Sequence, residues 1–354
     1  MRGGTNNLDL IRLFLATSVM LWHVSDLSGV VIFLPLAQLF SAELAVKAFF
    51  VISGYLVVKS CELNTLGEYI EKRIRRIYPA YAVTILLLAC LGALLSTHSF
   101  KDYFGGKTLQ YVAANLVFLN FLAPTLPGVF EGNRYSEING ALWTLKIEVL
   151  FYALVPLVVF LRRRTGAAPV LLSLFACSVA YAELMHHLHD SSGRALWLQL
   201  ARQLPGQLTY FLVGAACYYC RAFKGRCYWL LLIAGGGWLL AGVTEIRWAR
   251  MVLEPIWLGS LTMLLGVELP GIAPALRMGD ISYGIYIIHF PVIQFFVYCG
   301  LFQTDPWMAF SLAVGITVCL SGLSWMFVER PFLRKDSHYR RVADAVPEAR
   351  HSVA

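Results

Sequence analysis

Apolar residues in this chain fall in runs of about 20, separated by short polar connections, and a run of that length crosses a bilayer as an α-helix. Ten such runs can be drawn, at roughly 8–29, 39–60, 78–97, 139–161, 168–188, 203–220, 228–244, 251–268, 281–300 and 307–328. The fold class they predict is all-α: a polytopic transmembrane helical bundle of about ten spans. The stretch 108–123 is apolar but short, so it is expected as an interfacial or re-entrant segment within a long loop, 98–138.

Charge orients the spans. With the N-terminus inside, the inner segments and inner span ends hold 20 of the 29 Lys and Arg residues, the asymmetry expected of cytoplasmic loops, so the topology is read as N-in and C-in. Residues 1–331 form the predicted transmembrane domain, and 332–354 a short polar cytoplasmic tail. The composition, 58% hydrophobic and 14% charged, is too apolar for a soluble domain of this length. The net charge of +8 is therefore assigned to inner loops and not to nucleic-acid binding. Arg2 before the first run resembles a signal-peptide start, but ionisable residues inside the run and no small-residue cleavage site after it argue for a retained span. The eight cysteines are scattered. Cys217 and Cys220 form a lone CxxC without partners at zinc spacing, and the His186, His187, His189, Asp190 cluster falls at a loop, so no metal site is predicted.

The first run carries Asp9, Arg12, His23 and Asp26 among large apolar side chains. Eleven residues of helix return to within about 20° of the same face, so Arg12 and His23 share a stripe, roughly 16 Å apart along the axis. Ionisable groups inside a span face a bundle interior or a wet cavity and mark function. Imidazole suits a general base near neutral pH, and Asp26, one turn on, is placed to orient the ring. Packing between helices is the plain alternative for His23.

Three further segments concentrate chemistry. The second run holds Lys47, Phe49, Phe50, Ser53, Gly54 and Tyr55; the Ser-Gly pair allows close approach of a backbone or ligand. It is followed by Arg73 and Arg76, which share a helical face as a two-armed clamp for an anion, or else form an ordinary positive-inside cluster; Pro79 is expected in the first turn of the third span. The fourth run holds Trp143, Lys146, Glu148, Phe151 and Tyr152. Glu148 falls near mid-membrane, where it needs a partner, His23 or Lys47. The ninth presents Ser282, Tyr286 and His289 at helical spacing after Asp280, which taken alone reads as packing.

In order, these blocks resemble the acyltransferase 3 family of bacterial membrane proteins. The matching features are Arg12-x10-His23, the Phe49 to Tyr55 block, Arg73-x-x-Arg76-x-x-Pro79, Trp143-x4-Glu148-x2-Phe151-Tyr152, Ser282-Tyr283-x2-Tyr286-x2-His289-x-Pro291 and Glu329-x-Pro331. They run from residue 8 to about 331, with a departure at Lys146-Ile147 before Glu148. The resemblance implies a stand-alone membrane acyltransferase of the bacterial inner membrane. It would move an acyl group, most often acetyl from acetyl-CoA, to a hydroxyl of a carbohydrate or lipid-linked saccharide, the family's acceptors including lipopolysaccharide O-antigen, exopolysaccharide, peptidoglycan and lipo-oligosaccharides. It implies no permanently bound cofactor, with acyl-CoA, the saccharide acceptor and membrane lipids as partners.

On that resemblance His23, Glu148 and Asp26 are the expected catalytic residues. Arg12, Arg73 and Arg76 are expected to hold the CoA phosphates, and Lys47, Ser53, Trp143, Tyr152, Tyr286 and His289 to line the acceptor site. His23 would act as general base on the acceptor hydroxyl or carry the acyl group as an acyl-imidazole. The rival class is a transporter or flippase of a lipid-linked sugar; paired half-repeats with helices broken at matched positions would favour it, and the sequence has neither.

Overall fold

The computed structural model describes residues 7–220, 227–270, 280–334 and 337. Among these, regular structure is helical throughout. Helices stand at all ten expected positions: α1 (Leu8–Ser28), α2 (Ala42–Leu63), α3 (Leu66–Leu95), α4 (Trp143–Thr165), α5 (Ala167–Ser192), α6 (Leu204–Tyr219), α7 (Cys227–Val243), α8 (Arg247–Met263), α9 (Ser282–Tyr298) and α10 (Pro306–Ser324). Seven helical segments among the described residues are long and apolar enough to cross a membrane. The other three, α6, α7 and α9, have 16 or 17 residues. At about 1.5 Å per residue they reach roughly 25 Å, short of a core about 30 Å thick. The expectation of ten full spans thus becomes seven long helices and three shorter ones. The tail after residue 334 lies outside the described residues apart from Ser337.

Two boundaries differ from the sequence reading. Helix α3 begins at Leu66, well before the apolar run. Thr65 and Glu68 form a capping box, with Glu68 N–H reaching Thr65 Oγ1 and Thr65 N–H reaching a Glu68 carboxylate oxygen. The basic stretch is therefore the first turns of a 30-residue helix, and Pro79 lies in its interior, not in its first turn. The His186 to Asp190 cluster, expected at a loop, is instead the last turns of α5. The segment 108–123 forms an 11-residue helix, Gly106–Leu116, too short to span, and a turn through Phe118 at φ 62°. The Asn115 side chain donates to Ala123 O across that turn.

The chain divides into two compact units. The first comprises Met1–Ile11, Val46–Tyr69 and Ile147–Ala273. In it α7 packs on α8, and α5 and α8 on α6. Gly54 of α2 and Gly214 of α6 face each other's backbones: a Cβ on Gly54 would strike Phe211 O, and one on Gly214 would strike Val51 O. This is the close approach the Ser53-Gly54 pair predicts, and it follows from the small-residue contacts by which helices meet in lipid.

The second unit comprises Arg12–Ala45, Ile70–Lys146 and Pro274–Ala354. Here α9 packs on α10, with Gly284 allowing Ser321 to come close. Pro291 lies inside α9 and cannot donate to the carbonyl four residues earlier. That carbonyl, Ile287 O, instead accepts from Asn139 Nδ2 at 2.8 Å, which ties the turn before α4 to α9. Helix α10 ends in a π-turn, Trp325–Glu329, that brings Glu329 into the unit's buried charge cluster.

Candidate active site

In the second unit, polar side chains make contacts at three levels of helices α1 and α9. At their first turns Arg12 Nη2 lies 3.6 Å from Asp280 Oδ2, and Arg76 of α3 approaches the same oxygen to 2.5 Å. Arg76 also reaches Glu329 at 3.4 Å. Asp280 and Glu329 are almost wholly buried. Each of these guanidiniums faces a buried acidic side chain, the pairing that ions away from water require. Asp280 further accepts from the Ser282 backbone N–H at 3.2 Å and from its hydroxyl, so it also serves the exposed donors at the start of α9. Tyr283 places its ring 5.7 Å from Arg76 and donates to Ile77 O.

At the middle level are His23 and His289. His289 is fully buried, and its Nδ1 lies 2.9 Å from Ile285 O. A carbonyl can only accept, so His289 Nδ1 carries a proton, and in the neutral ring the lone pair sits on Nε2. That Nε2 lies 3.1 Å from His23 Nδ1, which is also 2.9 Å from Val19 O. Both neighbours of His23 Nδ1 are then acceptors, and Nδ1 is the protonated nitrogen of His23. Its Nε2 keeps the lone pair and has no hydrogen-bond partner among the described residues. Trp22 and Phe290 set their rings edge-on to the imidazole, at 5.1 and 5.2 Å. Gly140 makes room for Phe290, since a Cβ there would meet the phenyl ring. Tyr286, one turn before His289, lies 2.6 Å from Thr144 Oγ1.

At the third level Asp26 turns away from the imidazole. It accepts from Tyr135 Oη at 3.3 Å and lies 3.8 Å from Arg134 Nη1. Burial, and after it the Asp26 charge, pushes the Tyr135 phenol above its usual range, so this donor stays protonated. The same loop is held to α9 by Gln294, which donates to Tyr135 O and Glu137 O and accepts from Asn133. The ring-orienting part expected of Asp26 is thus filled by His289, which the sequence reading placed at the acceptor.

The remaining candidates separate. Arg73 is half-buried, one turn before Arg76 on α3. Trp143 opens α4 and is partly exposed. In the first unit, Glu148 Oε1 accepts from Ser53 Oγ at 3.1 Å and from Tyr152 Oη at 2.5 Å. Lys47 is bound to a residue the sequence reading passed over. Its Nζ lies 2.7 Å from Glu254, which also accepts from Tyr210 and Trp238. A carboxylate four residues into the eighth apolar run was signal enough to find it. Asp280 and Glu329 were visible as residues, but nothing in their spacing pairs them with Arg12 and Arg76.

Comparison with known proteins agrees with the resemblance. A family model described as an acyltransferase domain matches residues 5–326. The nodulation protein 10 of Rhizobium leguminosarum bv. viciae is 29% identical over 94% of this chain and 94% of its own. The O-acetyl transferase of Shigella phage Sf6 is 28% identical, covering 94% of this chain and 97% of its own. The exopolysaccharide production protein ExoZ of Rhizobium meliloti is 26% identical over 82% of this chain and 89% of its own. No solved structure gives a significant match. The chain belongs to the acyltransferase 3 family and is an integral membrane protein.

Proposed function

We propose that this family member is an O-acyltransferase of the bacterial inner membrane, moving an acyl group, acetyl in the first instance, from cytoplasmic acyl-CoA to a hydroxyl of a cell-surface carbohydrate. The observation that carries the reading is the hydrogen-bond order of the two imidazoles: Ile285 O accepts from His289, and His289 Nε2 accepts from His23. This leaves His23 Nε2 as a base. The relatives named as an O-acetyl transferase and an exopolysaccharide production protein support the reaction class and a carbohydrate acceptor.

In the reaction the acceptor hydroxyl oxygen attacks the thioester carbonyl while its proton passes to His23 Nε2. The C–S bond then breaks, the CoA thiolate leaves, and the proton returns from His23 to sulfur. During the step His23 is an imidazolium whose Nδ1–H points at His289 Nε2, a pre-placed acceptor for charge that exists only in the transition state. A transient acyl group on His23 Nε2 would use the same lone pair, and trapping of an acylated peptide in the absence of acceptor separates the two routes.

In this reading the N-terminus and the Asp280 end of α1 and α9 face the cytoplasm. Arg73, with the basic start of α3, then meets the anionic nucleotide, and Asp280 and Glu329 hold Arg12 and Arg76 in place behind it. The test is mass spectrometry of surface polysaccharide from cells carrying the wild type or His23→Ala at matched expression. Loss of O-acyl groups with polysaccharide still exported supports the reading. Failure of export itself would replace it with a flippase, and unchanged O-acylation would refute it.

A further inference from the structure

Two cavities of opposite character meet in the second unit, neither of them the histidine site. The larger, about 610 Å³, is an apolar groove between α3, α9 and α10, bounded by residues such as Leu87, Leu91, Ile288, Phe295, Ile316 and Leu320. Its α3 wall runs from Val83 to Leu95, roughly 18 Å of helix. Leu87, Phe295, Ile316 and Leu320 are all more than a third exposed. These helices are apolar, and α3 and α10 are long enough to span the membrane, so the groove opens to lipid. The smaller cavity, about 340 Å³, lies in the loop region and is bounded by polar side chains including Lys107, Gln110, Thr125, Glu131 and Ser136. Val129 lines both. Beside it Phe130 lines the groove in a left-handed conformation, φ 59°, which residues with a Cβ rarely adopt.

An apolar trough that continues into a polar pocket matches an amphiphile. The pocket is also tied to the histidine site. Ser136 follows Tyr135, whose hydroxyl holds Asp26 one turn beyond His23. On α9 the stripe Ile288, Pro291, Val292 and Phe295 faces the groove, while His289 lies on the adjoining face against His23. A chain lying in the groove is therefore separated from the imidazoles by α9, while the loop pocket reaches Ser136, the neighbour of the Tyr135 that holds Asp26. This geometry suits an acceptor and not the donor's acyl end.

We infer that the groove and the loop pocket together form the binding site of a lipid-linked saccharide acceptor, with one hydrocarbon chain along α3, α9 and α10. The phosphate and sugar occupy the pocket at Lys107, Gln110 and Ser136. The inference rests on the proposed carbohydrate acceptor but concerns binding, so it is tested without transfer.

The probe is a polyprenyl phosphate carrying a diazirine in its chain, photolysed on the full-length protein in nanodiscs of phosphatidylethanolamine and phosphatidylglycerol. The labelled peptides are located by mass spectrometry. Expected labelling falls within 83–95, 288–296 and 316–328 and is competed by unlabelled polyprenyl phosphate. Ile316→Trp and, independently, Leu87→Trp lower it about tenfold, because an indole replaces the chain's contacts; each is read only in protein that reconstitutes with wild-type thermal unfolding. Equal competition by added phosphatidylglycerol would make the groove an ordinary lipid crevice, and competition by palmitoyl-CoA would assign it to the donor; either overturns the inference. Labelling spread over the surface, or unchanged in both variants, also overturns it. Specific labelling in a protein that transfers no acyl group would leave the binding site standing and remove the proposed reaction.

Discussion

His289 Nε2 stands 3.1 Å from His23 Nδ1, so the first-helix histidine, whose Nδ1 also lies 2.9 Å from Val19 O in its own helix, faces a second imidazole from α9, 266 positions away. Helical spacing accounts for each residue's place on its own helix. Beside the two rings, Asn139 bonds the Ile287 carbonyl that Pro291 leaves open, and Gly140 admits Phe290.

Asp26 is held by Tyr135 and Arg134, and no bond to His23 is among its contacts. Asp26→Asn should therefore leave the pH dependence of acyl transfer in place and lower kcat less than about tenfold, below the range of a lost acid–base group. A kcat loss as large as that of His23→Ala would return Asp26 to the catalytic role the sequence suggested.

Asp280 holds two arginines at 3% side-chain exposure. Asp280→Ala removes the shared partner of a buried cluster, and losses of that kind run to about 3–5 kcal/mol. The expected outcome is a clear drop in the thermal unfolding midpoint in detergent, larger than that of Glu71→Ala, whose pairs are exposed. Equal midpoints would mean the cluster carries no stability.

Lys47 and Glu254 form a close pair inside the first unit. Glu254→Leu removes the carboxylate beside the Lys47 ammonium, and Lys47→Met leaves the Glu254 carboxylate with the neutral donors Tyr210 and Trp238. The double variant should be more stable than either single one, because burying an unpaired charge costs more than losing the pair. Additive losses in thermal unfolding would contradict the ion-pair account.

Gly54 and Gly214 approach each other's backbones. A single methyl meets a carbonyl that cannot move aside as a side chain does, so Gly54→Ala and Gly214→Ala should each lower the yield of monodisperse protein. Gly236→Ala, in open space, should not. Wild-type behaviour of all three would refute the close α2–α6 contact.

The positions of the helices were legible in the sequence because lipid enforces apolar helices, though three of the ten are too short to count as full spans, and periodicity displays the faces of α1 and α9. What was not legible depends on tertiary partners. Glu148 looked to need a cation and is instead hydrogen-bonded by Ser53 and Tyr152. Arg76 looked like half of an open phosphate clamp, yet its contacts include Asp280 and Glu329, more than 200 positions away. Pro79 looked like a helix start because the basic turns before it are polar, and polarity marks the membrane boundary, not the helix end.

The most direct test of the account is single-turnover transfer from radiolabelled acetyl-CoA to a saccharide acceptor by the wild type, His23→Ala, His289→Ala and His289→Gln, with acetyl-CoA affinity measured in parallel. The account predicts no transfer for His23→Ala and a rate loss of about 10²-fold or more for His289→Ala. It predicts partial recovery for His289→Gln, whose amide oxygen can accept from His23 Nδ1, with acetyl-CoA affinity unchanged throughout. Wild-type rates in His289→Ala, or the same loss in His289→Gln as in His289→Ala, would contradict it.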